Sequence, residues 1–457
     1  MKNCCGFIKK IPLVILLLLG VDAGAQKHSH DKKSNKERLK IAKEMDLSIR
    51  TELLNKWYPQ SVDSLYGGFL STFTYNFQPQ GPQDKMIVTQ ARHVWSNAIA
   101  YILYPAITYY KQCARQGFAF LENSMWDKIN GGFFTLVDRK GNVKDGSTKT
   151  AYGNAFGIYA SAAWYQSSGD TNALRMAKNC FWWLEKHSHD SLYKGYYQDL
   201  LPDGTPVKRD ASSSSNSTVG YKDQNSSIHL LEAFTELYAV WPDPLLRIRL
   251  QEMLLLIRDV ITTRQGYLTL FLTPNWTPVS FKDSSEAVIL KHRNIDHVSF
   301  GHDVETAYLM LEASHILELK NDNLTLTIAK RMVDHALLNG WDSKTGGFFD
   351  EGYYFKNKGS ISIIKNSKNW WAQAEGLNTL LLMADHFPDD KMQYFEKFKI
   401  MWLYIKNYLI DHKYGDWYEE GLDTRPERKT ALKGHIWKAT YHHLRSLSNC
   451  VQRLRSR

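Results

Sequence analysis

Segments such as "NAFGIYASAAWYQ", "IHLLEAFTELYAVW", "LLRIRLQEMLLLIRDVI", "VETAYLMLEASHILEL", "WWAQAEGLNTLLLMADHF" and "FEKFKIMWLYIKNYLI" place apolar residues at helical spacing with polar residues between them. This period predicts helices along most of the chain. Strict alternation is short and confined to glycine turns. An aromatic-flanked glycine motif returns six times, as "LYGGFL", "INGGFF", "YKGYYQ", "RQGYLT", "KTGGFF" and "KYGDWY". With Gly68, Gly132, Gly195, Gly266, Gly347 and Gly415 as markers, the gaps are 64, 63, 71, 81 and 68 residues, each long enough for two helices and their connections. Six helical pairs, each closed by a Gly-aromatic hairpin, predict an all-α ring of twelve helices, an (α/α)6 barrel, built as one domain over residues 36–457.

In such a ring the inner helices aim their N-terminal ends at one mouth, so a ligand there is lined by many repeats. Polar residues on otherwise apolar helices are therefore the candidates, because burying them without partners is costly. They occur in "ARHVWSNAIAY" with Arg92, "NSSIHLLEAFTELY" with His229 and Glu232, "SFGHDVETAY" with His302, Asp303 and Glu305, and "WWAQAEGLN" with Gln373 and Glu375. Near the end, "KGHIWKATYHHLR" adds His435, Lys438, His442, His443 and Arg445. The stretch "DASSSSNSTVGYKDQNSS", residues 210–227, reads as a mobile loop at the mouth.

Composition narrows the class. Aromatic residues make up 13% of the chain, enough for a large core or for flat faces offered to a ligand. The opening "MKNCCGFIKKIPLVILLLLGVDAGAQ" predicts a secretory signal peptide over residues 1–25, cleaved after Ala25 and followed by a flexible tail over 26–35. The mature chain is then expected outside the cytoplasm, periplasmic or secreted, with no membrane span. Cys113, Cys180 and Cys450 have no CxxC spacing, which argues against zinc and for buried free thiols. The net charge of +10 falls to +8 once Lys2, Lys9, Lys10 and Asp22 leave with the signal. No zinc-finger or RNA-recognition pattern accompanies it, so it reads as solvated surface and not as a nucleic-acid interface.

His302 and Glu305 are three apart and share a helix face, as metal ligands can, but no HExxH, calcium loop or cysteine pair accompanies them. No metal or other cofactor is expected. A lone histidine at a helix start is commonly structural; His229 and His442 in similar settings strengthen a chemical reading.

The segments "NSSIHLLEAFTELYAVW", "SFGHDVETAY", "WWAQAEGLN" and "KGHIWKATYH" resemble, in this order, the signature segments of the N-acylglucosamine 2-epimerase superfamily, most of all its cellobiose 2-epimerase branch. The resemblance implies that His302 and His442 are a general acid/base pair, that His229 assists ring opening, and that Arg92 holds the oxygen of an enediolate. It makes Glu305 and Glu375 orienters of histidines or ligands of sugar hydroxyls, Asn225 a polar contact, and Trp371 and Trp437 aromatic walls. Tyr152, Asn154 and Tyr308 are further candidate sugar contacts, Tyr308 standing where the branch has a tryptophan. His443 beside His442 leaves the choice between them to alignment alone.

The chemistry fits these residue types. Inverting C2 of an aldose requires a proton to leave one face and another to arrive on the opposite face, and an imidazole serves as base or acid near neutrality. A fixed guanidinium stabilises the charge that builds on O1 and O2. The expected reaction is 2-epimerisation of the reducing-end residue of a β-1,4-linked disaccharide of the cellobiose or mannobiose type, by a monomer or homodimer. Aldose–ketose isomerisation and N-acylglucosamine 2-epimerisation are alternatives within the family. Hydrolysis by two carboxylates and non-catalytic sugar binding are alternatives outside it.

Overall fold

The computed structural model describes residues 30–144, 148–207 and 221–456. The segment read as a signal peptide, and residues 210–220 of the Ser-rich stretch, lie outside them. Twelve helices form two concentric layers. The inner layer holds α2 (Ile87–Leu103), α4 (Ala151–Ser168), α6 (Gln224–Val240), α8 (Phe300–Ile316), α10 (Trp370–His386) and α12 (Tyr441–Arg455). The outer layer holds α1 (His30–Ser48), α3 (Tyr109–Phe120), α5 (Thr171–His187), α7 (Pro244–Leu256), α9 (Asn323–Asn339) and α11 (Tyr394–Tyr404). Neighbouring inner helices pack side by side around the ring, α12 meets α2, and α1 lies against α12 to close the outer layer. The fold class is the expected barrel. One boundary is corrected: α1 begins at His30, inside the stretch expected to be a flexible tail. Among the described residues, no helix is long and apolar enough to cross a membrane.

Burial explains the two kinds of sequence pattern. Inner helices are covered on every side, so α4 runs from Ala151 through Trp164 with Ala155, Ala160, Ala162 and Ala163 fully buried; these small side chains let inner helices approach closely. Outer helices show a solvent face, as α5 does with Trp182 exposed while Phe181 and Leu184 are buried. Thr150, Asp223 and Asn369 cap inner helices, and Asp170, Asp243 and Asp322 cap outer ones, each accepting from a backbone N–H of the first turn. Cys113, Cys180 and Cys450 are buried and free.

The glycine motifs are hairpins, and five of the six are tied by a lysine–aspartate pair to the chain leading into the next inner helix. Gly132 has φ +74°, and a Cβ there would meet the Trp183 ring at 2.7 Å, so both backbone angle and packing require glycine. Beside it, Lys149 donates to Asp127 at 2.7 Å and to the Gly131 and Pro202 carbonyls. Asp127 in turn accepts from the Ile129 and Asn130 N–H groups of the turn. The same buried pair recurs as Lys85–Asp63, Lys222–Asp190, Lys368–Asp342 and Lys433–Asp411. In the fourth repeat Val298 and Thr263 stand in its place.

Short antiparallel pairings then join repeat to repeat: Lys85–Met86 with Leu136–Val137, Lys149–Thr150 with Asp199–Leu200, and Lys222–Asp223 with Phe271–Leu272. A three-stranded sheet, Val298–Ser299, Glu351–Tyr353 and Ser362–Lys365, exceeds the simple hairpins expected from sequence.

The pair is hidden from solvent, with side-chain exposures of 0% for Lys149 and 6% for Asp127. Lys149→Met therefore strands a buried carboxylate and is expected to lower unfolding stability by about 3–5 kcal/mol, read as a shifted urea midpoint. Lys356→Met, which removes an exposed ion pair with Asp283, is the control expected to leave the midpoint in place.

Candidate active site

Five of the six inner helices start with a residue that grips the preceding hairpin; on α6 the corresponding Ser227 bonds the Asp223 carbonyl of its own first turn instead. Gln90 accepts from the Phe69 N–H and donates to the Phe69 carbonyl, both at 2.8 Å. Gln373 does the same with Phe348 at 2.8 and 2.9 Å. Asn154 accepts from the Phe133 N–H at 2.8 Å, Asp303 from the Leu268 N–H at 2.9 Å, and His443 bonds Asp416 at 2.6 Å through Nε2. A helix turns 100° per residue, so the side chain two positions later leaves the opposite face. Those positions hold Arg92, Phe156, His229, Glu305, Glu375 and Arg445, and they face the barrel axis.

At the axis a single guanidinium meets three carboxylates. Arg445 Nη2 lies 2.6 Å from Glu305 and 2.7 Å from Glu375, while Nη1 bonds Glu232, which also accepts from the Tyr441 hydroxyl. Glu232 accepts from or pairs with His229 Nδ1 at 2.8 Å, and Glu375 with His442 Nδ1 at 2.8 Å. Burial pulls Glu232 upward, but Arg445, His229 and Tyr441 outweigh it and leave its carboxyl below the usual range. Burial, with the neighbouring Glu305 charge, drives Glu375 well above it.

His302 stands apart from these carboxylates. Its Nδ1 is 2.8 Å from the Ser299 hydroxyl, and its ring lies 4.6 Å from the Trp371 indole. His442 lies 5.8 Å from the same indole, so the two imidazoles are no farther apart than the two spacings together. Burial, helped by His229 and His297, pushes His302 down to about 3. Burial with Arg92 and Arg445 holds His442 well below its ordinary value. Both rings are neutral near pH 7, the state a general base needs. Arg92 donates to the Trp437 carbonyl at 2.9 Å and the Tyr152 hydroxyl at 3.1 Å, with its guanidinium over the Phe156 and Tyr441 rings.

The structure thus brings His302, His442, His229, Arg92, Glu305, Glu375, Trp371 and Tyr152 together. Tyr152 packs edge-on to His229 at 5.1 Å, and Trp437, 49% exposed, sits 6.4 Å from Tyr152 at the mouth. Asn225 is half-buried on the first turn of α6. Two expected sugar contacts are corrected. Asn154 is fully buried and spent on its hairpin. Tyr308 is buried one turn below Glu305, bonded to Glu312 and to Asn449 at 3.0 Å. Of the adjacent histidines, His443 is the hairpin grip and His442 faces Glu375. Sequence reasoning gave Arg445, Glu232, Tyr441 and Ser299 no role, although all four lie inside the segments it singled out. The carboxylates and imidazole of Glu305, Glu375 and His442 are close enough to hold an ion, but Arg445 already supplies the positive charge between the two carboxylates.

A model of the family described as N-acylglucosamine 2-epimerase (GlcNAc 2-epimerase) matches residues 67–446. A cellobiose 2-epimerase from Bacteroides fragilis is 26% identical over 416 residues, covering 91% of this chain and 98% of its own. The structure of a cellobiose 2-epimerase from Spirochaeta thermophila superposes with a TM-score of 0.79 at 25% identity, over 92% of this chain and 98% of that one. A family 76 glycoside hydrolase from Bacteroides thetaiotaomicron, 12% identical, shares the fold alone, with a TM-score of 0.58 over 90% of this chain and 77% of that one.

Asp303 occupies a position where Gln90 and Gln373 both accept and donate. Its Oδ2 is buried with no hydrogen-bond partner, and burial drives its carboxyl well above the usual range. The folded state therefore holds a proton that the unfolded chain releases near pH 4. The stability tied to that proton is full below the unfolded value and is lost as pH rises toward the folded one. Asp303→Asn needs no proton to donate, so its melting temperature is expected to match wild type near pH 4 and to exceed it increasingly toward pH 9, measured by differential scanning fluorimetry.

Proposed function

This chain belongs to the N-acylglucosamine 2-epimerase family, and from that premise we propose that it inverts C2 of the reducing-end residue of a β-1,4-linked disaccharide of the cellobiose or mannobiose type. The observation that carries the reading is the pair of imidazoles, His302 and His442, whose rings lie 4.6 and 5.8 Å from the Trp371 indole. His229, steadied by Glu232, assists opening of the sugar ring. One of the paired imidazoles takes the C2 proton, and electrons flow into the C1 carbonyl to give an enediolate. Arg92 stabilises the negative charge on its oxygens, more strongly in the transition state than before it. The second imidazole, which enters this step as imidazolium, delivers its proton to the opposite face of C2 and ends neutral as the first becomes protonated.

The carboxylates favour this reading over hydrolysis. Glu232, Glu305 and Glu375 are each engaged by Arg445, which leaves them orienting histidines and not protonating a glycosidic oxygen. The leader expected at the N-terminus favours a sugar met outside the cytoplasm.

Incubation with cellobiose and with mannobiose in D2O, followed by NMR, tests the proposal: deuterium at C2 of the epimerised product is expected. Deuterium at C1 of a ketose, free monosaccharides, or no change would each replace it with another reading. His302→Asn and His442→Asn are each expected to lower kcat by about 10²–10⁴-fold; near-normal turnover in both would remove these two from the mechanism.

A further inference from the structure

Ser299 ends the short strand before α8 and occupies its N-cap, with extended backbone angles of φ −103° and ψ 96°. At the same place on three other inner helices Thr150, Asp223 and Asn369 turn their side chains to a backbone N–H of the first turn. Ser299 makes no such cap bond. A serine in this place commonly stabilises its helix through that bond, so the hydroxyl has been diverted. It is 2.8 Å from His302 Nδ1, and Ser299 is only 5% exposed.

We propose that Ser299 is the positioning residue of His302, a role that rests on the reading of His302 as a proton-transfer group. Holding Nδ1 fixes the ring about its long axis and turns Nε2 toward the cavity shared with Trp371 and His442. The choice of a hydroxyl has a chemical consequence. His229 faces the Glu232 carboxylate, which only accepts, so that ring carries its proton on Nδ1. A charged partner of that kind also stabilises an imidazolium. Ser299 is uncharged, so His302 gains orientation without that stabilisation, and an imidazolium formed there gives up its proton readily. The hydroxyl that could cap α8 is thus spent on an imidazole of the same first turn.

The two outcomes can be separated from the fate of the epimerase reading. With ring-15N histidine, the Nδ1 and Nε2 shifts of His302, assigned by their absence in His302→Asn, report the tautomer in the free protein. In wild type and Ser299→Thr they are expected at the values of one predominant tautomer, and in Ser299→Ala to move toward the average of two. With cellobiose as substrate, Ser299→Ala is expected to lose about tenfold to a hundredfold in kcat with KM nearly unchanged, and Ser299→Thr to recover most of it. Unchanged 15N shifts in Ser299→Ala overturn the inference whether or not cellobiose turns over. Wild-type protein inert toward cellobiose and mannobiose, with the 15N change present, overturns the epimerase reading and leaves the positioning of His302 intact.

Discussion

Three carboxylates from three different helices converge on the axis of this barrel, and the site exists because one guanidinium reconciles them. Glu232 on α6, Glu305 on α8 and Glu375 on α10 are buried to within a few per cent of complete. Brought together without a cation they would repel one another in a medium that screens poorly. Arg445, on the last helix, spreads two nitrogens toward all three. A lysine could not, since its charge is a point and its stem flexible. The guanidinium thereby ties α12 to the middle of the chain, and it sets the oxygen atoms that orient His229 and His442.

The starts of the inner helices carry two duties that helix geometry keeps apart. One face grips a hairpin; the face two residues on looks inward. Gln90 and Arg92, Gln373 and Glu375, His443 and Arg445 are such couples. Scaffold and chemistry are therefore set on one turn of helix, and a shift of register by one residue would disturb both. The fourth repeat combines several departures. Val298 replaces the bolting lysine, Asp303 replaces a neutral grip, and Ser299 abandons its helix cap. The departures fall on the repeat that supplies His302, which is where local rules are expected to yield to function.

The architecture was legible because its signals are local. Helical periodicity and the returning glycine turns need no long-range contact to be read, and they fixed the number of helices and their order. The histidines and Arg92 were legible as polar residues on apolar helices. The direction of a side chain around a helix was not. Asn154 and Tyr152 differ by two positions and face opposite ways, as do His443 and Arg445; residue type alone treats them alike. Only the grip on a hairpin, a contact between distant residues, sets the phase. One long-range signal was present and overlooked: Asp63, Asp127 and Asp411 each precede their lysine partner by 22 residues, a spacing that would have marked both hairpin and helix start.

The fold does not choose the reaction, since the family 76 glycoside hydrolase shares it at a TM-score of 0.58. The depth of the charges does. Two-carboxylate hydrolysis needs a carboxylic acid in reach of the glycosidic oxygen and a second carboxylate across the ring. Here Glu232, Glu305 and Glu375 are each paired with Arg445, and Glu232 and Glu375 with His229 and His442 as well. What faces the cavity instead is the His302 and His442 pair with the Arg92 guanidinium, which lies beside Tyr152 and Tyr441.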